Sequence, residues 1–271
     1  MQAAKTWPRL GLLLLTSLMV LAGCNTVTTE PEAALEPQVL FGQLDGNAHP
    51  YVGLMVVSVD GTPTSRCTGA LISPTVFLTA GHCVFGADSA RVWFTSERPE
   101  GYPTSGGVTG TPIAHPNYAD FAGFPNTSDV GVVLLEEPVS VARYASVAEV
   151  GFLDALATRR GQRDTTFTIV GYGLQGVKPV EVREITRYQG TVNLINLKNN
   201  LTDGWNIQLT SNPGEGNGSG GLCFGDSGGP VLRGDTIVAV NSFVLNSQCR
   251  GTGFSYRVDT AYAQAFIDDP Q

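Results

Sequence analysis

The chain has 271 residues, of which 15% are charged, 33 are Gly and 16 are Pro, and its 16 basic and 24 acidic side chains leave a net charge of −8. That length excludes a mini-protein and suffices for one large all-β unit or two modest domains, each with a real core. The acidic balance becomes 14 basic against 24 acidic residues, or −10, once Lys5 and Arg9 are set aside; such a field repels phosphate backbones and excludes nucleic acid as an expected partner.

In chain order, residues 1–23 read as a targeting signal, with Lys5 and Arg9 ahead of an apolar run from Gly11 to Ala22. The run is too short for a spanning helix, which needs about 20 residues. It ends in Leu21-Ala22-Gly23-Cys24, which resembles the lipobox of bacterial lipoproteins. The resemblance implies cleavage before Cys24 and a lipid on its thiol, so that the protein is exported and anchored to the cell envelope. The alternative is an ordinary secretory signal cut near Gly23. Without Cys24, four cysteines remain, Cys67, Cys83, Cys223 and Cys249, an even set suited to two disulfides in an oxidising compartment, with three pairings open. Residues 24–38 read as a spacer: from Asn25 the sequence is NTVTTEPEAALEPQ, without a periodic apolar face.

From residue 39 onward, short β-rich runs recur between turn signals. They are YVGLMVVSV from Tyr51, ALI from Ala70, VFLTA from Val76, ARVWFTS from Ala90 and VGVVLL from Val130. FTIVGYG from Phe167, WNIQLT from Trp205, PVL from Pro230, TIVAVNSFV from Thr236 and GFSYRV from Gly253 follow. Many short strands broken by Gly and Pro predict an antiparallel all-β sandwich or barrel. Only DTAYAQAFID, from Asp259, reads as helix, while Val147 to Leu156 fits helix or loop.

Two motifs carry chemistry: Thr79-Ala80-Gly81-His82-Cys83 and Gly225-Asp226-Ser227-Gly228-Gly229-Pro230. Together they resemble the chymotrypsin family of serine proteases over roughly residues 39–267. The resemblance implies two packed antiparallel β-barrels, about 39–145 and 146–260, and a C-terminal helix at about 259–268. It also implies hydrolysis of protein or peptide substrates. The family order needs an Asp between His and Ser, ahead of an apolar strand. Asp129, followed by Val130 to Leu135, fits; Asp120 is followed by the loop-like Phe-Ala-Gly-Phe-Pro. Serine is a weak nucleophile at neutral pH, so an imidazole must take its proton while a buried carboxylate orients that imidazole. Ser227, His82 and Asp129 are expected in those roles, whereas His49 and His115 each precede or sit beside Pro in apparent loops and read as structural.

By the same resemblance, the backbone N–H groups of Gly225 and Ser227 form the oxyanion hole, and the disulfides pair Cys67 with Cys83 and Cys223 with Cys249. Gly171-Tyr172-Gly173 resembles a family turn. Ser242, Phe243 and Val244 resemble the strand that lines the substrate. Gly221 falls at the base of the specificity pocket, with Leu222 beside it and Val244 and Gly253 as walls. An uncharged base and a narrowing Val predict cleavage after small or medium apolar residues, not after Arg or Lys. The family's freed N-terminus, which pairs with the Asp before the nucleophile, has a loose counterpart in Val39-Leu40-Phe41-Gly42. No Lys or Arg lies between Arg9 and Arg66, so a trypsin-like activator could not cut the spacer. The mechanism calls for no metal or organic cofactor. Competing readings are a catalytically inactive protease-fold binding module and an esterase on the same triad.

Overall fold

The computed structural model describes residues 42–156, 165–177, 181–211 and 220–270; the segments expected as targeting signal and spacer, with Cys24, lie outside them, as do Val39 to Phe41. A two-residue strand β1 (Gln43–Leu44) opens the described chain. The first barrel is built from β2 (Val52–Val59), β3 (Thr62–Leu71), β4 (Val76–Thr79), β5 (Ser89–Trp93), β6 (Val108–Ala114) and β7 (Gly131–Leu135), closed in the order β2-β3-β4-β7-β6-β5. The runs from Tyr51, Val76, Ala90 and Val130 supply four of these strands, as their patterning predicts.

After a short strand β8 (Ser146–Val147), the second barrel takes β9 (Thr166–Gly171), β10 (Tyr188–Asn196), β11 (Asn206–Thr210), β12 (Pro230–Arg233), β13 (Thr236–Val244) and β14 (Thr252–Arg257). Pairing of β9 with β10 closes this six-stranded cycle, β1 adds to β10, and β8 joins β13 in parallel. The fold is therefore two closed six-strand antiparallel barrels of the chymotrypsin type. The ambiguous segment before Leu156 resolves into the end of β8 and a single 3-10 turn at Asp154–Leu156.

Six consecutive residues of β2, Val52 to Val57, are buried, which a strand alternating between two faces allows only when both are covered. One face fills the barrel. The buried cluster containing β2 also takes in Val170, Tyr172, Leu232 and Ile237 of the second barrel and Phe266 and Ile267 of the C-terminal helix. That helix, Ala261–Asp268, starts two residues later than the sequence suggests, because Thr260 is its N-cap and accepts a hydrogen bond from Ala263 N at 3.1 Å. Asp259 is instead paired with Arg257 at 2.8 Å.

A fully buried Arg187, just ahead of β10, fastens the amino-terminal segment across the seam. Its Nε donates to Asp45 Oδ2 at 2.8 Å, and its Nη1 and Nη2 donate to the carbonyls of Val52 and Gly46, each at 2.8 Å. A buried guanidinium is tolerated only when paired and hydrogen-bonded in this way.

Candidate active site

The antiparallel pairing of β4 with β7 sets Thr79 opposite Gly131. His82 lies three residues after Thr79, on the single helical turn α1 (Gly81–Val84), and Asp129 lies two residues before Gly131. The barrel itself thus brings these two together. Asp129 is fully buried; its Oδ1 accepts from His82 N at 2.8 Å, and His82 Nδ1 stands 3.0 Å from its Oδ2. Ser242 Oγ, from the second barrel, donates to the same Oδ2 at 2.5 Å. Burial alone would push the Asp129 carboxyl up, but the His82 charge and these hydrogen bonds hold it below the usual carboxylate range. Burial alone would likewise depress His82, yet the charge and hydrogen bond of Asp129, with a smaller contribution from Asp120, raise it above the ordinary imidazole value. Asp120, the rival candidate, is exposed and acts on His82 through charge alone.

The loop carrying Asp120 contributes what the sequence did not announce. The Phe121 ring lies 5.5 Å from the His82 ring and 5.8 Å from Phe243, which in turn stacks on Phe254 at 4.8 Å. Ser128 Oγ and Asn117 Nδ2 both reach Tyr262 Oη of the C-terminal helix, at 2.9 and 2.8 Å. These contacts cross 134 and 145 residues, and no local pattern signals them.

Around Ser227 the backbone is arranged by its carbonyls. Leu174 N donates to Phe224 O at 2.9 Å, while Gly229 N at 2.9 Å and Asn241 Nδ2 at 3.3 Å donate to Asp226 O. In a trans peptide C=O and N–H point opposite ways, so anchoring these two carbonyls turns the N–H groups of Gly225 and Ser227 to the other side. Among the described residues those two N–H groups donate to no partner, whereas the N–H groups of Asp226, Gly228 and Gly229 are all engaged. Gly225 has φ +101°, a conformation a side chain would strain, and a Cβ there would stand 3.0 Å from Gly173 Cα. Thr68 braces the turn: its Oγ1 donates to Gly225 O at 2.8 Å, and its N donates to Ser227 O at 2.9 Å.

Ser227 is half-buried, and its turn abuts the residues before His82: a Cβ on Gly228 would stand 2.8 Å from Ala80 N. Among the described residues no hydrogen bond joins Ser227 Oγ to His82 Nε2, a link that often tightens only when substrate is bound. Asp226 is fully buried behind the turn and takes Gly173 N at 2.8 Å and Cys223 N at 3.0 Å. Burial outweighs these bonds and the nearby Arg66, pushing its carboxyl up to about 7.

Both disulfides are present, Cys67–Cys83 beside His82 and Cys223–Cys249 beside the nucleophile turn. The sulfurs of Cys67 and Cys83 cluster with a His82 nitrogen in a possible metal-ligand group. Their covalent bond removes the thiolates a metal would need. At the expected specificity pocket, Leu222 is buried, and a Cβ on Gly253 would stand 2.4 Å from Leu222 Cδ2. Leu222 therefore occupies the room that the missing side chain at Gly253 leaves. Gly221 is held against the Ser211 backbone, with a Cβ position 2.4 Å from Ser211 O. The hydroxyl of Ser242, a residue expected along the substrate, is spent on Asp129.

A family model described as Trypsin matches residues 44–266. The chain belongs to the trypsin-like serine protease family. Among curated relatives, this trypsin-family chain is 30% identical to brachyurin of Leptuca pugilator over 68% of its own length and 77% of the relative's. It is 28% identical to a trypsin of Saccharopolyspora erythraea over 75% of this chain and 86% of that one. Among solved structures, HL collagenase superimposes with a TM-score of 0.66 at 18% identity, covering 85% of this chain and 96% of the other. An inactivated protease paralogue of the scabies mite superimposes at 0.62 with 17% identity, covering 85% of this chain and 96% of the other. The same fold is thus shared by a protein named as a collagenase and by one named as inactivated, so the fold alone does not decide activity.

Proposed function

We propose that this trypsin-family protein is a serine endopeptidase in which Ser227 attacks the scissile carbonyl, His82 moves the proton and Asp129 orients His82. The observation that carries the reading is the pair of N–H groups on Gly225 and Ser227, turned outward beside the nucleophile by carbonyls anchored behind them. An oxyanion needs two converging donors that are not already spent. His82 Nδ1 is committed to Asp129, which leaves Nε2 to accept the Ser227 proton and later deliver it to the leaving amine.

Only neutral His82 can accept that proton, so kcat/KM is expected to rise with pH. Because Asp129 raises the His82 pKa, the midpoint should lie above the free-imidazole value of about 6.5. A pH–rate profile flat between about pH 5 and 8 would remove His82 from the role of base.

The substrate half carrying the cleaved bond enters beside Leu222, Val244 and Gly253. Leu222 already fills the space at Gly253, and no carboxylate occupies Gly221, so a basic side chain would lose water without gaining a partner. Cleavage after Ala, Val, Leu or Met is expected, with Arg and Lys disfavoured by at least roughly tenfold. A peptide-library digest reads this directly; predominant cutting after Arg or Lys would overturn the pocket assignment, and no cutting of any peptide would overturn the endopeptidase reading.

We propose further that Cys24 carries a lipid that anchors the protein to the bacterial envelope, the support being the Leu-Ala-Gly-Cys sequence that ends the apolar run. In a host that processes lipoproteins, the wild type should incorporate labelled fatty acid and Cys24→Ser should not. Equal labelling of both would place the acylation elsewhere or nowhere on this chain.

A further inference from the structure

Beside Gly225 a cavity of about 500 Å³ opens, walled by Arg66, Tyr102, Leu174, Phe224 and the ion-paired Arg183 and Glu181. The guanidinium of Arg66 reaches 3.1 Å from the point where a Gly225 Cβ would stand. Arg66 is half-buried and, among the described residues, its side chain makes no hydrogen bond and no ion pair. The buried Asp226 carboxylate feels the Arg66 charge but takes its hydrogen bonds from the amides of Gly173 and Cys223. Among the described residues of the wall Arg183 is balanced by Glu181, so Arg66 is left with no hydrogen-bonded partner, only the charge of the buried Asp226 behind the turn, in a protein whose net charge is −8.

The cavity's place relative to the scissile bond follows from the His82 ring. Cys83 Sγ lies 3.7 Å from His82 Nε2, and Cys83 is bridged to Cys67, the residue after Arg66. The nitrogen that delivers a proton to the leaving amine thus faces the bridge that Arg66 flanks. Phe243, expected on the strand that lines the substrate, takes no part in the cavity wall.

We propose that this cavity receives a carboxylate carried by the substrate on the leaving-group side of the scissile bond, with Arg66 as the specificity-determining residue. The inference rests on the endopeptidase reading. An acidic group meets general repulsion from this protein at long range, but salt screens that beyond about 10 Å. A half-buried, unpaired guanidinium within contact distance is screened far less, and a fork of N–H donors suits a carboxylate. The carboxylate can be a Glu or Asp side chain or a free C-terminus.

The test uses the full chain and quenched peptides that share one apolar acyl half. One set carries Glu, Gln or Lys at each of the first three positions after the cleaved bond, with an amidated end; a second set ends in a free carboxylate or its amide at those positions. At one position, kcat/KM for the carboxylate peptide should exceed that for its neutral counterpart by about tenfold, with Lys lowest. The set showing the preference tells side chain from C-terminus. Arg66→Gln should bring that ratio close to one, Arg66→Glu should favour Lys, and Arg66→Lys should retain part of the acidic preference. The double variant Arg183→Gln with Glu181→Gln should change the ratio by no more than about threefold, since it removes a balanced pair. Equal rates for the carboxylate and neutral peptides in both sets, with peptides cleaved, would overturn this inference alone, as would a ratio that survives Arg66→Gln. Failure to cleave any peptide would overturn the endopeptidase reading and this inference with it.

Discussion

Replacing Ser227 with Ala is expected to lower peptide hydrolysis by at least about 10⁴-fold while the fold survives. Ser227 Oγ makes no hydrogen bond among the described residues, so its removal unties nothing. What the turn needs from residue 227 is backbone: its carbonyl accepts from Thr68 N at 2.9 Å. Thermal unfolding of the variant should therefore match the wild type within about 2–4 °C, the shift that about 1 kcal/mol gives in a domain of this size. Residual hydrolysis over water should remain, because the outward N–H groups of Gly225 and Ser227 are still in place. Near wild-type hydrolysis in a folded Ser227→Ala protein would place the nucleophile elsewhere.

The second large effect is expected at Asp129. Its two oxygens accept from His82 N, His82 Nδ1 and Ser242 Oγ. An Asn there must place its N–H₂ either at the Oδ1 position, against the His82 backbone N–H, or at the Oδ2 position, where it faces both Nδ1 and the Ser242 hydroxyl. If it faces Nδ1, the imidazole is held in the tautomer that puts the proton on Nε2, where it cannot accept from Ser227. Asp129→Asn should lower kcat by about 10⁴-fold with little change in KM. It should also remove the charge that raises His82, leaving burial to dominate, so the His82 titration should move to lower pH. An NMR titration of the ring separates this from mere loosening. An unchanged His82 pKa in the variant would contradict the electrostatic role assigned to Asp129.

Much of this arrangement was legible in the sequence, and the exceptions have physical reasons. The strands found from pattern alone are those rich in Val, Ile, Leu and Phe. Missed were β6, with the sequence VTGTPIA, and β10, YQGTVNLIN, both broken by Gly or Pro and thin in large apolar residues. Each is a strand because neighbours on both sides supply its hydrogen bonds. The first half of β3, TPTSRC, is mostly exposed and carries no apolar run, yet it pairs with β2 from Met55 to Val59. Here tertiary pairing overrides propensity.

At the site, His82, Asp129 and the nucleophile turn stand in recognisable local sequence, since each needs a particular backbone shape. The residues that brace them do not. Thr68 supports the nucleophile turn from 157 residues away, and Ser242 reaches Asp129 across 113. Arg187 locks the barrel seam through Asp45 at a separation of 142. A lone Thr, Ser or Arg carries no signal until the fold brings its partner to it. Asp120 shows the converse: placed in a loop by its neighbours, it still adjusts the charge on His82 from outside the hydrogen-bonded set.

The most direct measurement is covalent labelling of the purified protein by a fluorophosphonate, followed by peptide mapping. One adduct per chain is expected, on Ser227, formed faster as pH rises through the His82 titration and abolished in Ser227→Ala and His82→Ala. A folded protein that takes up no label would contradict the endopeptidase reading, and would assign this chain to the catalytically inactive members of its fold.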